Sequence, residues 1–277
     1  MKILAVAGAS GGHIFPALSF LDLPEDYIHK HNILLVLPSR SLGMDFRLKA
    51  GDIKFVESVK VSLRGFKPAQ AVCLIRSFLQ SLKIFSDFRP DIVVGFGSAD
   101  SVFLIMLGWL LRARTVIHEQ NVLPGRANLF LSRFVDRIAI SFPETERYFP
   151  VSEVKIVLTG NPIRKSLIRM DKKKARKFFG LDEGVFTILV MGGSQGSCHI
   201  NRSFLNSLKF MRGNNFQVIH IAGKGFADSI GSAYVDIGVK GKVFGFLREM
   251  EFAFSAADLV LARSGATTAW SSSGGGT

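Results

Sequence analysis

Short apolar runs rich in β-branched residues alternate with helix-length segments along almost the whole 277-residue chain. Because these runs are apolar on both faces, they predict strands of parallel sheets that helices cover on both sides. The alternation occurs in two series. The predicted strands of the first are Ile3–Ala7, Ile33–Leu37, Lys54–Val59, Ile92–Gly95, Thr115–His118 and Ile138–Ser141, and those of the second are Lys155–Leu158, Thr187–Met191, Gln217–Ile221, Val243–Phe246 and Leu259–Ala262.

Two series of this kind predict two Rossmann-like domains, with a ligand site in the cleft between them at the carboxyl ends of the strands. The boundary falls near Thr159–Arg164, so we expect one domain over residues 1–159 and another over 160–270. Residues 271–277, SSSGGGT, have the composition of a flexible linker. Because the second series stops early, we expect an incomplete second domain. Either the chain is a fragment, which we favour, or its tail is artificial. The predicted helices include Ala69–Ser86, Ser101–Arg112 and Asn201–Met211.

The charge balance favours anionic partners. The chain has 35 Lys and Arg against 22 Asp and Glu, a formal charge of +13. Such an excess suits a membrane surface, a nucleic acid or a phosphorylated ligand, and composition does not choose among them.

Cys73 and Cys198 cannot form a disulfide framework, which fits a reducing compartment. The longest apolar run, Val102–Leu111, is shorter than the roughly 20 residues that span a bilayer, so we expect a cytoplasmic protein.

The first motif is GASGGH, Gly8 to His13, directly after the first predicted strand. Glycines at the start of a helix let backbone N–H groups approach an anionic ligand. Only Gly8 matches a glycine of the dinucleotide fingerprint G-x-G-x-x-G, because Ser10 and His13 stand at the other two positions. We expect a glycine loop, followed by a helix whose first turn contains Pro16. His13 is then a candidate general base, and a tight turn with a surface histidine is the alternative.

Four polar residues, His118 to Asn121, follow an apolar strand and are costly to bury without a purpose. A capped loop is the alternative interpretation, and a metal site is disfavoured because adjacent strand residues point in opposite directions. At the domain boundary, Arg164 of GNPIR could hold a diphosphate or lie exposed in a linker. The turns GGSQG (192–196) and RSGATT (263–268) each follow a strand in the second series. No P-loop lysine, D-x-D or other metal motif accompanies them.

Taken together, in this order and spacing, the motifs are specific enough to indicate one protein family. With GASGGHIFPAL, HEQN, GNPIR, GGSQG and RSGATT, the sequence from Met1 to about Thr268 resembles the MurG family of GT-B glycosyltransferases. The resemblance implies inverting, metal-independent transfer of GlcNAc from UDP-GlcNAc to lipid I, which gives lipid II for peptidoglycan synthesis. It also implies a peripheral enzyme on the cytoplasmic face of the cell membrane, with no cofactor and no nucleic-acid partner. Another acceptor, or an inactive nucleotide-sugar-binding fragment, is the alternative.

The resemblance also implies roles for individual residues. His13 is the expected base for the acceptor hydroxyl, and Glu119, the second catalytic candidate, is expected to shape the cleft. Arg164 and Ser194 are expected to hold the diphosphate, and the main chain of Leu247 to contact uracil. The remaining substrate-binding candidates are Ser10, Gly11, Gly12 and Asn121 on the donor sugar and its diphosphate, and Ala266, Thr267 and Thr268 on the nucleotide.

Two departures from the family pattern are visible. Its acceptor-side loop usually carries Gly-Tyr, where this chain reads GFGSADS over residues 95–101. The ribose-binding glutamate of the family falls at Ser271, inside the linker-like tail.

One predicted helix has a second interpretation. Residues 71–85 place Val72, Phe85 and several other apolar residues on one face, with basic residues around it. A helix of this kind can pack in the core or lie on anionic lipid. The candidate membrane contacts are Ile75, Phe78, Leu79 and Leu82, and the basic residues are Lys67, Arg76 and Lys83.

Overall fold

The structure is a computed structural model that describes residues 1–21, 31–39, 52–56, 68–162, 170–193, 196–211, 213–247 and 249–263. The chain divides into two compact units, Met1–Arg164 and Lys165–Thr277, hereafter the first and second domains.

The first domain is built on a parallel sheet. In the part of the chain that the structure describes, the sheet has seven strands in the order β3-β2-β1-β4-β5-β6-β7. Each neighbouring pair is parallel. The elements are β1 (Lys2–Ala7), α1 (Gly11–Leu21), β2 (Asn32–Pro38), β3 (Asp52–Val56), α2 (Pro68–Phe88), β4 (Ile92–Phe96), α3 (Val102–Leu110), β5 (Arg114–Glu119), α4 (Arg126–Leu131), β6 (Arg137–Ile140) and β7 (Ile156–Leu158).

Both faces of this sheet are buried. Leu4 and Val6 of β1 belong to one apolar cluster, whereas Ile3, Ala5 and Ala7 belong to another. Successive side chains of a strand point to opposite faces, so helices must cover the sheet on both sides. This explains why the strands read as continuous apolar runs.

The second domain repeats the plan on a smaller scale. Within the described residues its sheet has four parallel strands in the order β10-β9-β8-β11. Side chains of β8 alternate between two apolar clusters, with Ile188 and Val190 in one and Leu189 and Met191 in the other. The elements are α5 (Lys172–Phe178), β8 (Phe186–Met191), α6 (Cys198–Ser207), β9 (Phe216–Ile221), α7 (Ala227–Ile237), β10 (Lys240–Phe244), α8 (Met250–Ala256) and β11 (Leu259–Ala262).

The predicted fold class, two parallel α/β sheets, is confirmed, and two strand assignments are wrong. Lys155–Leu158 was expected in the second series, but Ile156–Leu158 pairs with β6 as an edge strand of the first sheet. Because β7 has only three residues with largely exposed side chains, its sequence does not indicate which of the two sheets it joins. The strand predicted at Val243–Phe246 runs over Lys240–Phe244. Its exposed Lys240 and Lys242 alternate with less exposed residues, so an apolar run marks only its end.

In the second domain, hydrogen bonds connect α5 and β8 to the charged side chain of Asp258. Asp258, just before β11, accepts hydrogen bonds from the Thr187 N–H at 2.7 Å and from Arg176 and Lys172 at 2.5 Å each. Arg176 is buried and also donates to the carbonyls of Ala256 and Glu183. Burial alone would raise the pKa of Asp258, but the Lys172 and Thr187 hydrogen bonds and the nearby positive charges hold it below its usual value.

We predict that Asp258→Asn destabilises the second domain by about 3 kcal/mol at neutral pH, because it leaves the Arg176 charge buried without its carboxylate. A carboxylate with a lowered pKa stabilises the fold above its unfolded pKa of 3.8 and ceases to do so as the pH falls through its folded pKa. Hydrogen exchange of the β8 and β11 amides measures the loss, and the difference from wild type should shrink below about pH 4. Exposed Asp236→Asn is the control. Equal protection in wild type and Asp258→Asn at neutral pH would contradict the assignment.

Candidate active site

Polar residues of the first domain collect where β1, β4 and β5 end. At the end of β1, the Ser10 carbonyl accepts hydrogen bonds from the N–H groups of His13 and Ile14, both at 3.0 Å. Gly11, Gly12 and His13 therefore form the first turn of α1, and the expectation of a glycine loop there is wrong. Pro16 falls in the second turn of the helix, one turn later than expected.

The imidazole of His13 lies in a space that two glycines leave open. Its Nδ1 is 3.0 Å from the Ser10 hydroxyl. A Cβ at Gly8 would be 2.8 Å from Nδ1, and a Cβ at Gly97 would be 3.1 Å from Nε2. Because a side chain at either position would displace the ring, these glycines orient His13 by close approach.

The loop after β4 completes this part of the site. Gly97 and Ser98 both have positive φ, 77° and 78°. Ser98 is a non-glycine residue in a region that favours glycine, and its hydroxyl donates to buried Asp100 at 2.7 Å. A Cβ at Gly8 would lie 2.4 Å from the Ser98 Cβ, so this loop packs directly against the end of β1.

Glu119, at the end of β5, organises the segment that follows it. Its side chain is only 2% exposed. Oε1 accepts from the N–H and the Nδ2 of Asn121, both at 3.0 Å, and Oε2 accepts from the Gly125 N–H at 3.0 Å and Asn128 Nδ2 at 2.8 Å. Since both oxygens accept hydrogen bonds from this segment, the carboxylate fixes the position of Asn121.

His118 is buried and makes its hydrogen bonds within the first domain. Its Nε2 lies 3.1 Å from the Gly160 carbonyl, and its Nδ1 lies 3.2 Å from Gln120 Nε2. The amide can only donate and the carbonyl can only accept, so Nε2 carries the proton of a neutral ring. Burial lowers the pKa of His118, against the raising effects of the Gly160 carbonyl and the Glu119 charge.

In the second domain, a glycine turn leads from β8 into α6. Gly193 and Gly196 have positive φ, 90° and 76°, and the Gly196 N–H donates to the Gly193 carbonyl at 3.0 Å. The Ser197 hydroxyl caps α6 by accepting from the Ile200 N–H at 3.4 Å. Arg263, at the end of β11, donates to the same hydroxyl at 3.1 Å. A turn of this kind presents N–H groups and the positive end of a helix dipole to an anion.

Comparisons with known proteins agree with this arrangement. The model of the glycosyltransferase family 28 N-terminal domain matches residues 3–140, and that of the family 28 C-terminal domain matches residues 187–274. UDP-N-acetylglucosamine--N-acetylmuramyl-(pentapeptide) pyrophosphoryl-undecaprenol N-acetylglucosamine transferases of Thermodesulfovibrio yellowstonii and Alkaliphilus oremlandii are each 34% identical over 97% of this chain and 74% of their own. The chain belongs to this family of glycosyltransferases.

Solved structures show the same fold. MurG of Acinetobacter baumannii matches with a TM-score of 0.69 at 23% identity, over 99% of this chain and 76% of that one. The UDP-GlcNAc 2-epimerase of Neisseria meningitidis, bound to UDP-GlcNAc, matches with a TM-score of 0.60 at 13% identity, over 96% and 78%. The two-domain architecture is thus shared beyond the transferase family.

The structure brings together only part of the predicted site. Ser10, Gly11, Gly12 and His13 lie at the start of α1, and Asn121 lies on the segment that Glu119 holds. The Leu247 side chain packs in the core of the second domain, which leaves its main chain for any ligand contact. The other substrate-binding predictions fall outside the described residues: Arg164, Ser194, Ala266, Thr267 and Thr268.

The four candidate membrane contacts lie on the exposed side of α2, and Phe85, which the sequence placed on the same face, is buried in the core. The α2 patch is hereafter the exposed apolar set Val72, Ile75, Phe78, Leu79 and Leu82, which are 50%, 59%, 40%, 55% and 41% exposed.

Sequence reasoning missed several residues that build the site. Asn128 is a polar residue in the apolar helix α4. Gly97 and Ser98 were named only as part of the acceptor-side loop, without their close approach to His13 and Gly8. His220 interrupts the apolar strand β9. A polar residue inside an apolar element was the available signal, because a buried polar group needs partners.

We predict that Glu119→Gln loosens residues 119–128. The amide NH₂ would face N–H donors where a carboxylate oxygen now accepts, at a cost of about 3 kcal/mol. Hydrogen exchange of the Gly125 amide and of the α4 amides measures the effect, with exposed Glu144→Gln as the control. Unchanged protection at Gly125 would show that the Glu119 hydrogen bonds do not hold this segment.

Proposed function

We propose that this chain transfers N-acetylglucosamine from UDP-GlcNAc to the muramyl 4-hydroxyl of lipid I, which gives lipid II for peptidoglycan synthesis. The relatives carry this reaction in their names, and they share 34% identity with 97% of the chain. The observation that carries the proposal within the structure is the His13 imidazole, held between Ser10, Gly8 and Gly97 where β1 and β4 end.

His13 is the proposed general base. When Nδ1–H donates to the Ser10 hydroxyl, Nε2 presents its lone pair and accepts the proton of the acceptor hydroxyl. The hydroxyl oxygen then attacks the anomeric carbon of the donor from the face opposite UDP. The bond to the diphosphate oxygen breaks with its electron pair, so the configuration at the anomeric carbon inverts.

The leaving diphosphate needs positive charge at the moment it departs. We assign this role to the start of α6 with its glycine turn, together with Arg164 and Ser194 from the sequence. Ala266, Thr267, Thr268 and the main chain of Leu247 are assigned to the nucleotide. Glu119 is a positioning residue in this scheme, because its hydrogen bonds hold Asn121 for the donor sugar.

The α2 patch supports a peripheral contact with an anionic membrane surface. Helix α2 turns Ser77 and Ser81 inward together with Ile84 and Phe85, while its outward face is apolar. Exposed Arg76 and Lys83 stand on the same helix. In the described segments, no helix combines the length and the hydropathy needed to cross a bilayer. An exposed apolar helix face with basic neighbours suits a lipid interface, and a lipid-linked acceptor requires one.

We predict that His13→Gln lowers kcat by about 10² to 10⁴-fold, because the amide cannot accept the proton. UDP binding, measured by calorimetry, should stay unchanged. Transfer is measured with UDP-GlcNAc and a lipid I analogue, and His31→Gln, at the residue before β2, is the control. Full activity of His13→Gln would exclude His13 as the base. Transfer by wild type to another acceptor, with none to lipid I, would overturn the acceptor assignment alone.

We predict that Ile75→Ser with Leu79→Ser weakens binding to phosphatidylglycerol vesicles at least about tenfold, because two apolar side chains no longer enter the interface. Vesicle flotation measures binding, and added salt should weaken it for wild type because Arg76 and Lys83 act through charge. Phe210→Ser with Val235→Ser removes similar exposed apolar area in the second domain and should bind like wild type. If both double variants bind equally well, the α2 patch is not the membrane contact.

A further inference from the structure

A chain of buried polar side chains crosses the second domain. His220 of β9 stands in the middle, with Nδ1 at 2.6 Å from the Tyr234 hydroxyl of α7 and Nε2 at 3.1 Å from Asn201 Oδ1 of α6. Asn201 Nδ2 then donates to the Ala222 carbonyl at 2.9 Å. All three side chains are at most 3% exposed.

The hydrogen bond from Asn201 to the Ala222 carbonyl fixes the position of each proton in this network. Asn201 uses Nδ2 for the Ala222 carbonyl, so Oδ1 accepts and His220 Nε2 donates. Nδ1 then accepts from the Tyr234 hydroxyl. Burial lowers the pKa of His220 to about 4 and raises the pKa of Tyr234, so every member is neutral near pH 7. The network has one hydrogen-bond direction, from Tyr234 through His220 and Asn201 to Ala222.

The far end of the network is the glycine turn. A Cβ at Gly196 would lie 2.3 Å from the same Ala222 carbonyl oxygen that Asn201 binds. Asn201 also donates its N–H to the Ser197 carbonyl at 2.9 Å, within the first turn of α6. The Ala222 carbonyl thus sets both the close packing of Gly196 and the position of α6.

The surroundings of the network are apolar, so an apolar side chain could fill the same space. Phe204 packs edge-on against the His220 ring, with centroids 5.9 Å apart, and Ile188, Val190 and Val218 belong to the same cluster. Buried polar groups cost free energy unless every partner is present, but they specify one arrangement by direction and distance. Apolar contacts alone would hold α6 less specifically.

We propose that the Tyr234–His220–Asn201 network is a positioning device that sets Gly196 and the start of α6 for the donor diphosphate. The inference rests on the proposed function, because it takes the turn as the diphosphate site. Tyr234, His220 and Asn201 act through the turn and need not touch the donor.

The test uses UDP as the probe and the full chain. Tyr234→Phe removes one hydroxyl and leaves His220 Nδ1 without its donor. We expect the Kd for UDP and the KM for UDP-GlcNAc to rise about five- to tenfold, with the KM for a lipid I analogue unchanged. Tyr148→Phe, at a tyrosine of the first domain, is the matched control. Nitrogen-15 shifts of His220 should show the Nε2–H tautomer in both proteins, with the Nδ1 signal shifted in Tyr234→Phe because Nδ1 has lost its hydrogen-bond donor.

A second variant separates positioning from stability. Tyr234→Phe with His220→Leu replaces the network by apolar groups, which cores often tolerate with little loss of stability. We expect this variant to fold, yet to bind UDP as weakly as Tyr234→Phe or more weakly, because Asn201 has lost its donor. UDP binding equal to wild type in either variant would overturn the positioning role and leave the proposed function intact. A folded wild-type chain that neither binds UDP nor transfers GlcNAc would overturn both.

Discussion

Burial of both sheet faces is the constraint on which the rest of the structure depends. Ile3, Ala5 and Ala7 lie in one apolar cluster and Leu4 and Val6 in another, so β1 buries every side chain from Ile3 to Ala7. In such a sheet, polar groups that face a ligand stand where a strand ends, whereas a polar group inside a strand, such as His220, is buried among partners. The chemistry of the first domain is therefore concentrated in the residues just after β1, β4 and β5, and that of the second domain in the turn after β8.

Glycines at these strand ends let neighbouring segments approach closely, because a glycine has no side chain. Gly8 and Gly97 leave the space that the His13 ring fills, and Gly196 lets the turn before α6 meet the Ala222 carbonyl. Such positions depend on distances of about 3 Å between segments far apart in sequence. A side chain at one of these glycines would thus displace a group in another segment, such as the His13 ring, without altering that group itself.

The sequence was sufficient for the fold class because burial on two faces leaves a direct trace, the continuous apolar run. It was insufficient where burial leaves none, as at exposed β7 and the half-polar strand β10. For the candidate site, the motifs named His13, Glu119 and Asn121, but not the contacts that hold them. That the Glu119 carboxylate is fully engaged, and that Asn128 completes it, depends on how the chain after β5 folds back. No local pattern specifies such a tertiary contact.

The histidines of the two domains differ in their exposure to water. His118 and His220 are deeply buried, and desolvation lowers the pKa of each, so both rings stay neutral near pH 7 and hydrogen-bond in one fixed tautomer. A ring that resists protonation is a good structural connector and a poor base. His13, at the start of α1, is only half-buried. The two proposed roles, base catalysis by His13 and positioning by His220, therefore correspond to a difference in one physical variable, the access of each imidazole to water.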